Sequence, residues 1–244
     1  MKLVVIAGAT ATGKSALSVA LAEAIGAEII NADSMQVYRG MDIGTAKITL
    51  EERHGIAHHM LDVLDVNQDS TVAWYQSAAR EAIDEIHSRG KSVVMVGGTG
   101  LYIKAAIDEL NFPDTDPMVR HTLNKEAEEL GIDEMFARLE KLDPAAALAI
   151  DRANLRRIIR ALEVIEITGK PFTANLPREE SARYPHARQF GLVMDRELLS
   201  ERIDERVNTM FDQGLVAEVQ QLINAGLLEG RTAQRALGYA QVVS

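Results

Sequence analysis

The stretch Lys2-Leu3-Val4-Val5-Ile6-Ala7, running into Gly8-Ala9-Thr10-Ala11-Thr12-Gly13-Lys14-Ser15, decides the fold. Its first half is a continuous apolar, β-branched run, the pattern of a strand buried on both faces of a sheet. Its second half fits G-x-x-x-x-G-K-[ST] at every fixed position. A helical pattern follows, with Leu17, Ala20, Leu21 and Ala24 on one face and Gly26 placed to end it. Strand, glycine loop and helix in that order predict a phosphate-binding loop. Successive backbone N–H groups and the helix N-terminus point at anionic oxygens, Lys14 adds a point charge, and the Ser15 hydroxyl is suited to ligate Mg²⁺. An ordinary glycine-rich turn is the competing reading, and it is the weaker with all three parts in place. The predicted ligand is a di- or triphosphate, and the loop does not say which.

Outward from this loop, Glu28–Ala32 reads as a second strand that ends in Asp33-Ser34-Met35-Gln36. In open α/β sheets the carboxyl ends of strands face the ligand crevice. Asp33 is therefore a candidate metal-shell ligand or general base, or else a turn or cap aspartate. Ser92–Val96 reads as a third buried strand that ends in Gly97-Gly98-Thr99-Gly100, without the acidic residue that many nucleotide hydrolases place there for Mg²⁺. The chain also lacks an N-K-x-D guanine-reading motif, since Asn124-Lys125 is followed by Glu126-Ala127. Both absences count against a GTPase. Thr99 offers its hydroxyl to the crevice, or caps a helix.

Val72–Arg89 predicts an amphipathic helix with Tyr75, Ala79, Ile83 and Ile86 inward. Trp74 and Tyr75 read as core rather than as a base-stacking platform. After Phe112 the composition shifts. Asp116-Pro117 and Asp143-Pro144 each pair a cap with a first-turn proline and open helices near 117–130 and 144–150. Further helices are expected over 133–142 and Asn154–Thr168, the latter ended by Gly169. Segment 170–188, with Pro171, Pro177 and Pro185, is expected to be a mobile linker. Gln189–Met194 returns as a strand, followed by helices over Glu197–Gln213 and Leu215–Ala225. The expected fold is α/β: a P-loop NTPase-like doubly wound parallel sheet built from residues 1–112 and 189–244, with a small helical insertion domain over 113–188.

Composition bounds the partners. The 244 residues are 47% hydrophobic and 25% charged, enough for a buried core. With no cysteine there is no disulfide, thiolate metal site or cysteine nucleophile. No apolar run approaches the ~18 residues of a membrane span, so no membrane role is expected. Met1-Lys2 and the following apolar run resemble a weak signal peptide, but Ala9-Thr10-Ala11 belong to the phosphate loop, and a cytoplasmic chain is expected. Twenty-six basic against 36 acidic residues give −10, which disfavours a surface that wraps nucleic acid throughout. A local stripe is still present: Arg152, Arg156 and Arg160 recur at i, i+4 and i+8, with Arg157 beside them. It reads as an RNA-backbone contact or as a solvated face paired with Asp151 and Glu163. His54, His58 and His59 read as loop or packing residues rather than metal ligands.

Beyond the phosphate loop, the run from Asn31-Ala32-Asp33-Ser34-Met35-Gln36 through Gly44-Thr45-Ala46-Lys47 is similar to the tRNA dimethylallyltransferase family. Further blocks agree in order: His58-His59-Met60-Leu61-Asp62, Val96–Tyr102, Asp116–Arg120, Asn154–Glu163, Arg202-Ile203 through Arg206, and Gly238-Tyr239. The resemblance implies transfer of a dimethylallyl group from dimethylallyl diphosphate to N6 of adenosine 37, beside the anticodon, in tRNAs reading codons that begin with U. It gives Asp33 the part of general base and places Thr99 at the reacting amine. It puts tRNA contacts at Asp33, Ser34, Met35, Gln36, Thr99, Arg120, Arg156, Arg157 and Arg160, and the diphosphate on Gly8 through Ser15 with Mg²⁺ held by Ser15. Arg202 and Arg206 are second-tier candidates for anion contacts, or solvent-facing helix charges. The expected partners are the tRNA anticodon loop and dimethylallyl diphosphate, with the enzyme a monomer. The family usually has proline where this chain has Ala9 and Ile48. Its members continue past the glycine–tyrosine pair with an Arg/Lys-rich helical segment, so −10 is expected to overstate the acidity of a full-length member.

Two other classes share the loop. A small-molecule or nucleotide kinase needs the same sheet, and a nucleotide-gated binding module needs the loop without Asp33 poised beside it.

Overall fold

A computed structural model describes residues 2–175 and 182–243. In chain order the elements are β1 (Leu3–Gly8), α1 (Lys14–Ile25), β2 (Ala27–Asn31), β3 (His58–His59), α2 (Val72–Ser88), β4 (Ser92–Gly97), α3 (Gly100–Ile107), α4 (Pro117–Leu130), α5 (Ile132–Leu142), α6 (Pro144–Ala149), α7 (Leu155–Thr168), a 3₁₀ turn (Phe172–Asn175), β5 (Arg188–Leu192), α8 (Arg196–Asp212), α9 (Leu215–Asn224), a second 3₁₀ turn (Ala233–Arg235) and α10 (Tyr239–Val243). Two compact units result: residues 1–108 with 182–244, and residues 109–181. The limits expected from sequence, after 112 and after 188, lie four and seven residues later, near composition shifts rather than at the isolated Asp108–Ala182 bridge.

The first unit holds a parallel five-stranded sheet in the order β3-β2-β4-β1-β5. Strand alternation explains how both faces are covered. Leu3, Val5, Ile30, Val93 and Met95 point into one core with Tyr75, Ile83, Tyr102, Val219 and Tyr239, from α2, α3, α9 and α10. Val4, Ile6, Ile29 and Val94 point the other way and meet Val19 and Ala22 of α1. The expected doubly wound sheet is present. Parallel strands covered on both sides are predominantly apolar, which is why β1 and β4 read so clearly, while in β2 the buried Glu28 and Asn31 are hydrogen-bonded. His58–His59 carries no such signal. Two residues suffice there because Ile29 and Ile30 supply the pairing edge.

One face was misread. On α1 it is Ser18, Val19 and Ala22 that are buried, while Leu17 is 45% exposed. This helix is apolar on nearly every side, so periodicity alone cannot select its inner face. Ser18 tolerates burial by donating its hydroxyl to the Ser15 carbonyl at 2.7 Å.

The second unit is helical. Leu123, Met135, Leu139, Ile158 and Leu162 form its core. Asp116 caps α4 through Met118 and Val119 N–H, and Asp143 caps α6 through Ala146 N–H, each followed by proline as the sequence predicts. The expected mobile linker contains Phe172–Asn175 in a 3₁₀ turn and Ala182, which bridges Asp108 in antiparallel fashion. Pro177 lies outside the described residues. Among the described residues no helix is long and apolar enough to cross a membrane.

Candidate active site

The site is built at the carboxyl ends of β1, β2 and β4. Leaving β1, the chain turns through Ala11 (φ 59°) and Gly13 (φ 84°) before α1 starts at Lys14. Thr12 Oγ1 donates to the Ala9 carbonyl at 2.8 Å, and Lys14 Nζ reaches the same oxygen at 2.5 Å. The loop is thus shaped by its own side chains, with the Lys14 ammonium lying over it. The Ser15 residue is exposed at the first turn of α1, where a hydroxyl can meet an anion-bound cation.

Asp33 leaves β2 in a tightly held turn. The buried Asn31 amide accepts Asp33 N–H at 3.1 Å and donates to the carbonyls of Asp33 and Met60, both at 3.0 Å. Tyr75 OH in turn donates to the Asn31 carbonyl at 2.8 Å. One carboxylate oxygen of Asp33, Oδ1, accepts Met35 N–H at 2.9 Å. The sequence left open whether Asp33 is a turn aspartate or a poised carboxylate. It forms the turn with one oxygen, and it also interacts electrostatically with Lys14 and Arg206. Asn31 and Tyr75 hold this turn; Tyr75 is in the core, as expected, and its hydroxyl bond to Asn31 is the part that the sequence does not reveal.

Thr99 stands at the N-cap position of α3, yet its hydroxyl caps no helix N–H. It accepts Ser34 N–H at 3.0 Å and donates to Ser34 Oγ at 3.3 Å, while Thr99 N–H bonds the Ala32 carbonyl at 3.1 Å. Gly97 permits this approach, because a side chain there would collide with the backbone of Ala32. Gln36 donates from Nε2 to the Thr45 carbonyl at 3.0 Å.

Arg206, on α8, joins this group and Arg202 remains exposed. The Arg206 guanidinium donates to the Thr45 carbonyl at 3.3 Å. Burial lowers its pKa, with Asp33 opposing. Burial also pulls the Lys14 ammonium below the ordinary lysine range; the Asp33 carboxylate opposes this and Arg206 reinforces it. Two cations and one carboxylate therefore face a common crevice, the arrangement expected of an anion site with a proton acceptor beside it. A cavity of about 520 Å³ adjoins it, with Ile43, Ala46, Arg202, Arg206 and Met210 in its wall.

The helical unit holds the other arginines. Glu163, fully buried, receives Arg120, Arg160 and the Asp116 N–H, and Arg160 also donates to the Pro113 carbonyl at 2.6 Å. Arg156 and Arg157 are exposed and have no ion-pair partner among the described residues. Arg152 does not continue their stripe. It precedes α7, pairs with Asp133 at 3.0 Å and stacks on Phe136, because helical spacing begins only at Leu155. The three histidines of segment 54–59 are spoken for: His54 meets Glu23, His58 the Ile56 carbonyl and His59 Glu28.

A family model described as IPP transferase matches residues 36–244. The chain is 56% identical to a tRNA dimethylallyltransferase of Thermobifida fusca, over 99% of this chain and 76% of that protein. It is similar to the crystal structure of tRNA isopentenylpyrophosphate transferase from Bacillus halodurans, with a TM-score of 0.68 and 42% identity over 99% of this chain and 76% of that one. It also matches a eukaryotic dimethylallyltransferase captured acting on tRNA, with a TM-score of 0.80 and 32% identity over 91% of this chain and 56% of that one.

Proposed function

The chain belongs to the IPP transferase family, an enzyme family of tRNA modification, and we propose that it moves a dimethylallyl group from dimethylallyl diphosphate to N6 of adenosine 37 in tRNAs that read codons beginning with U. The observation that carries the residue assignment is the meeting of Asp33, Lys14 and Arg206 at the ends of the strands.

In the reaction the bond between the allylic carbon and the diphosphate oxygen breaks, and the electron pair leaves with pyrophosphate. The amides of Gly8 through Ser15, with Lys14 and Arg206, stabilise the negative charge that develops on that oxygen. The carbon bonds to the adenine N6 amine, a weak nucleophile whose lone pair is delocalised into the ring. Asp33 holds an N6–H through the carboxylate oxygen not used by Met35, and takes the proton as the C–N bond forms. Thr99, through Ser34, keeps the Asp33 turn against the end of β4. An adenine must leave its stack to reach such a crevice, and Ser34, Met35 and Gln36, which follow Asp33, would meet it there.

The exposed Ser15 hydroxyl, a hard oxygen donor beside an anion loop, would hold Mg²⁺ there. When bound, the ion would add Lewis-acid stabilisation of the leaving group. In the helical unit, Arg156 and Arg157 would hold RNA phosphates, with Arg120 and Arg160 ordered beside them by Glu163. The enzyme acts as a monomer in the cytoplasm. Family membership decides against a kinase.

The test supplies dimethylallyl diphosphate and unmodified tRNA with A36-A37 in the anticodon loop. A five-carbon adduct on adenosine by mass spectrometry, with RNA-dependent pyrophosphate release, is expected. Phosphate transfer to a small acceptor with no adduct would overturn the assignment.

A further inference from the structure

The segment Asp42–Lys47 is a turn, with no strand or helix to hold it. One carboxylate grips its first half. Asp42 N–H and Ile43 N–H donate to Glu218 Oε2 at 3.1 and 2.8 Å, and Gly44 N–H donates to Oε1 at 3.2 Å. Glu218 sits on α9, 174 residues further along the chain than Gly44. Its Oε1 also accepts the hydroxyl of Tyr239 at 2.5 Å. Tyr239 is fully buried, and burial together with this bond raises its pKa far above the ordinary tyrosine range, so it stays a donor. Gly44 lies so close to the Tyr239 ring that any side chain would strike it. From the other end Lys47, itself buried, donates to the Tyr38 carbonyl and to Asp42 at 2.7 Å each, and to Asp62 at 2.6 Å.

Between these anchors the turn presents the Thr45 carbonyl. That oxygen accepts both Gln36 Nε2, at 3.0 Å, and Arg206 Nη2, at 3.3 Å. A carboxylate fixed by three amides and a phenol is held by charge-assisted bonds, stronger than neutral ones, so the turn it grips has little freedom.

We propose that Glu218, clamped by Tyr239, is a positioning residue for the transfer: it fixes the Asp42–Lys47 turn so that the Thr45 carbonyl aims Arg206 into the crevice. The role in transfer rests on the function proposed above; the aiming of Arg206 at an anion does not. Glu218 touches no substrate. A residue needed only for folding would lower stability and leave its effect independent of Arg206, whereas one acting through Arg206 loses its effect once that guanidinium is gone.

The test is a double-mutant cycle of Glu218→Gln and Arg206→Gln, read by calorimetric affinity for inorganic pyrophosphate and by kcat/KM for dimethylallyl diphosphate. Glu218→Gln should weaken both about tenfold in the parent and less than about twofold in the Arg206→Gln background. Equal losses in the two backgrounds, or a change below twofold in the parent, would overturn the proposal. Should Glu218→Gln fail to fold, Tyr239→Phe decides, since it keeps the ring against Gly44 and removes only the donor. A loss of about threefold that vanishes with Arg206→Gln is then expected, and an unchanged affinity overturns the proposal. A parent that binds pyrophosphate but forms no five-carbon adduct would overturn prenyl transfer, while the pyrophosphate cycle would still decide the role of Glu218.

Discussion

The Thr99 hydroxyl accepts the Ser34 N–H at 3.0 Å, joining the ends of two adjacent strands across 65 residues of sequence. This bond orients the turn that carries Asp33. Thr99→Val keeps the shape and removes the acceptor, so kcat should fall by about 10–100-fold with smaller changes in KM, as misplacement of a catalytic group does. Thr99→Ser should stay within a few-fold of the parent. Steady-state kinetics on both variants checks this, and equal activity of all three enzymes would remove Thr99 from the site.

Asp33→Ala deletes the proposed proton acceptor. Turnover should drop about 10²–10⁴-fold, the usual worth of a general base, with diphosphate affinity little changed. Single-turnover kinetics together with pyrophosphate titration separates the two effects. Undiminished turnover would exclude the carboxylate from the chemistry.

Arg156 and Arg157 are the members of the basic stripe with no ion-pair partner among the described residues, so their replacement by alanine tests RNA holding without disturbing the Glu163 cluster. The KM for tRNA should rise, and the salt dependence of tRNA binding should become shallower by about one per arginine, while the KM for the diphosphate stays put. Binding measured across a salt series is the check. A salt slope identical to the parent's would return these residues to an ordinary solvated surface.

Glu28 gives the fold a pH dependence. It is buried on β2 and accepts His59 and Arg89 at 2.7 Å and Lys91 at 2.9 Å. Burial pushes its carboxyl upward, but hydrogen bonds from Lys91 and His59, with the charges of Arg89 and Lys91, prevail and hold it down to about 2 against an ordinary 4.5. A carboxyl depressed in the folded state contributes stability above its unfolded value, and that contribution is lost as pH falls from about 4.5 through 2. Scanning calorimetry should show the melting temperature dropping over that interval, and Glu28→Gln should flatten this part of the profile. Parallel profiles would mean that other carboxyls carry the dependence.

Much of this was legible because local chemistry fixes it. Gly8 through Ser15, the Asp-Pro helix starts and the strand leading to Asp33 each announce a backbone conformation through their own residues. What escaped depends on partners far along the chain. Whether Thr99 caps its helix or reaches Ser34 is settled by β2, and whether Arg206 faces solvent or the crevice is settled by the Thr45 carbonyl. Glu218 left no signal at all, being one acid on an amphipathic helix whose ligands are backbone amides. Arg152 misled because i, i+4 spacing has meaning only inside a helix, and α7 begins three residues later.

The interior strand β1 pairs on one side with β4 and on the other with the edge strand β5, whose residues follow the whole helical unit. During synthesis, β1 and β4 emerge long before β5. The strand that delivers the phosphate loop therefore waits as a bare edge, its amides and carbonyls open to any extended segment that arrives. A nascent chain stalled within the helical unit would carry that adhesive border outward, and its premature products should aggregate more readily than chains released after Leu192.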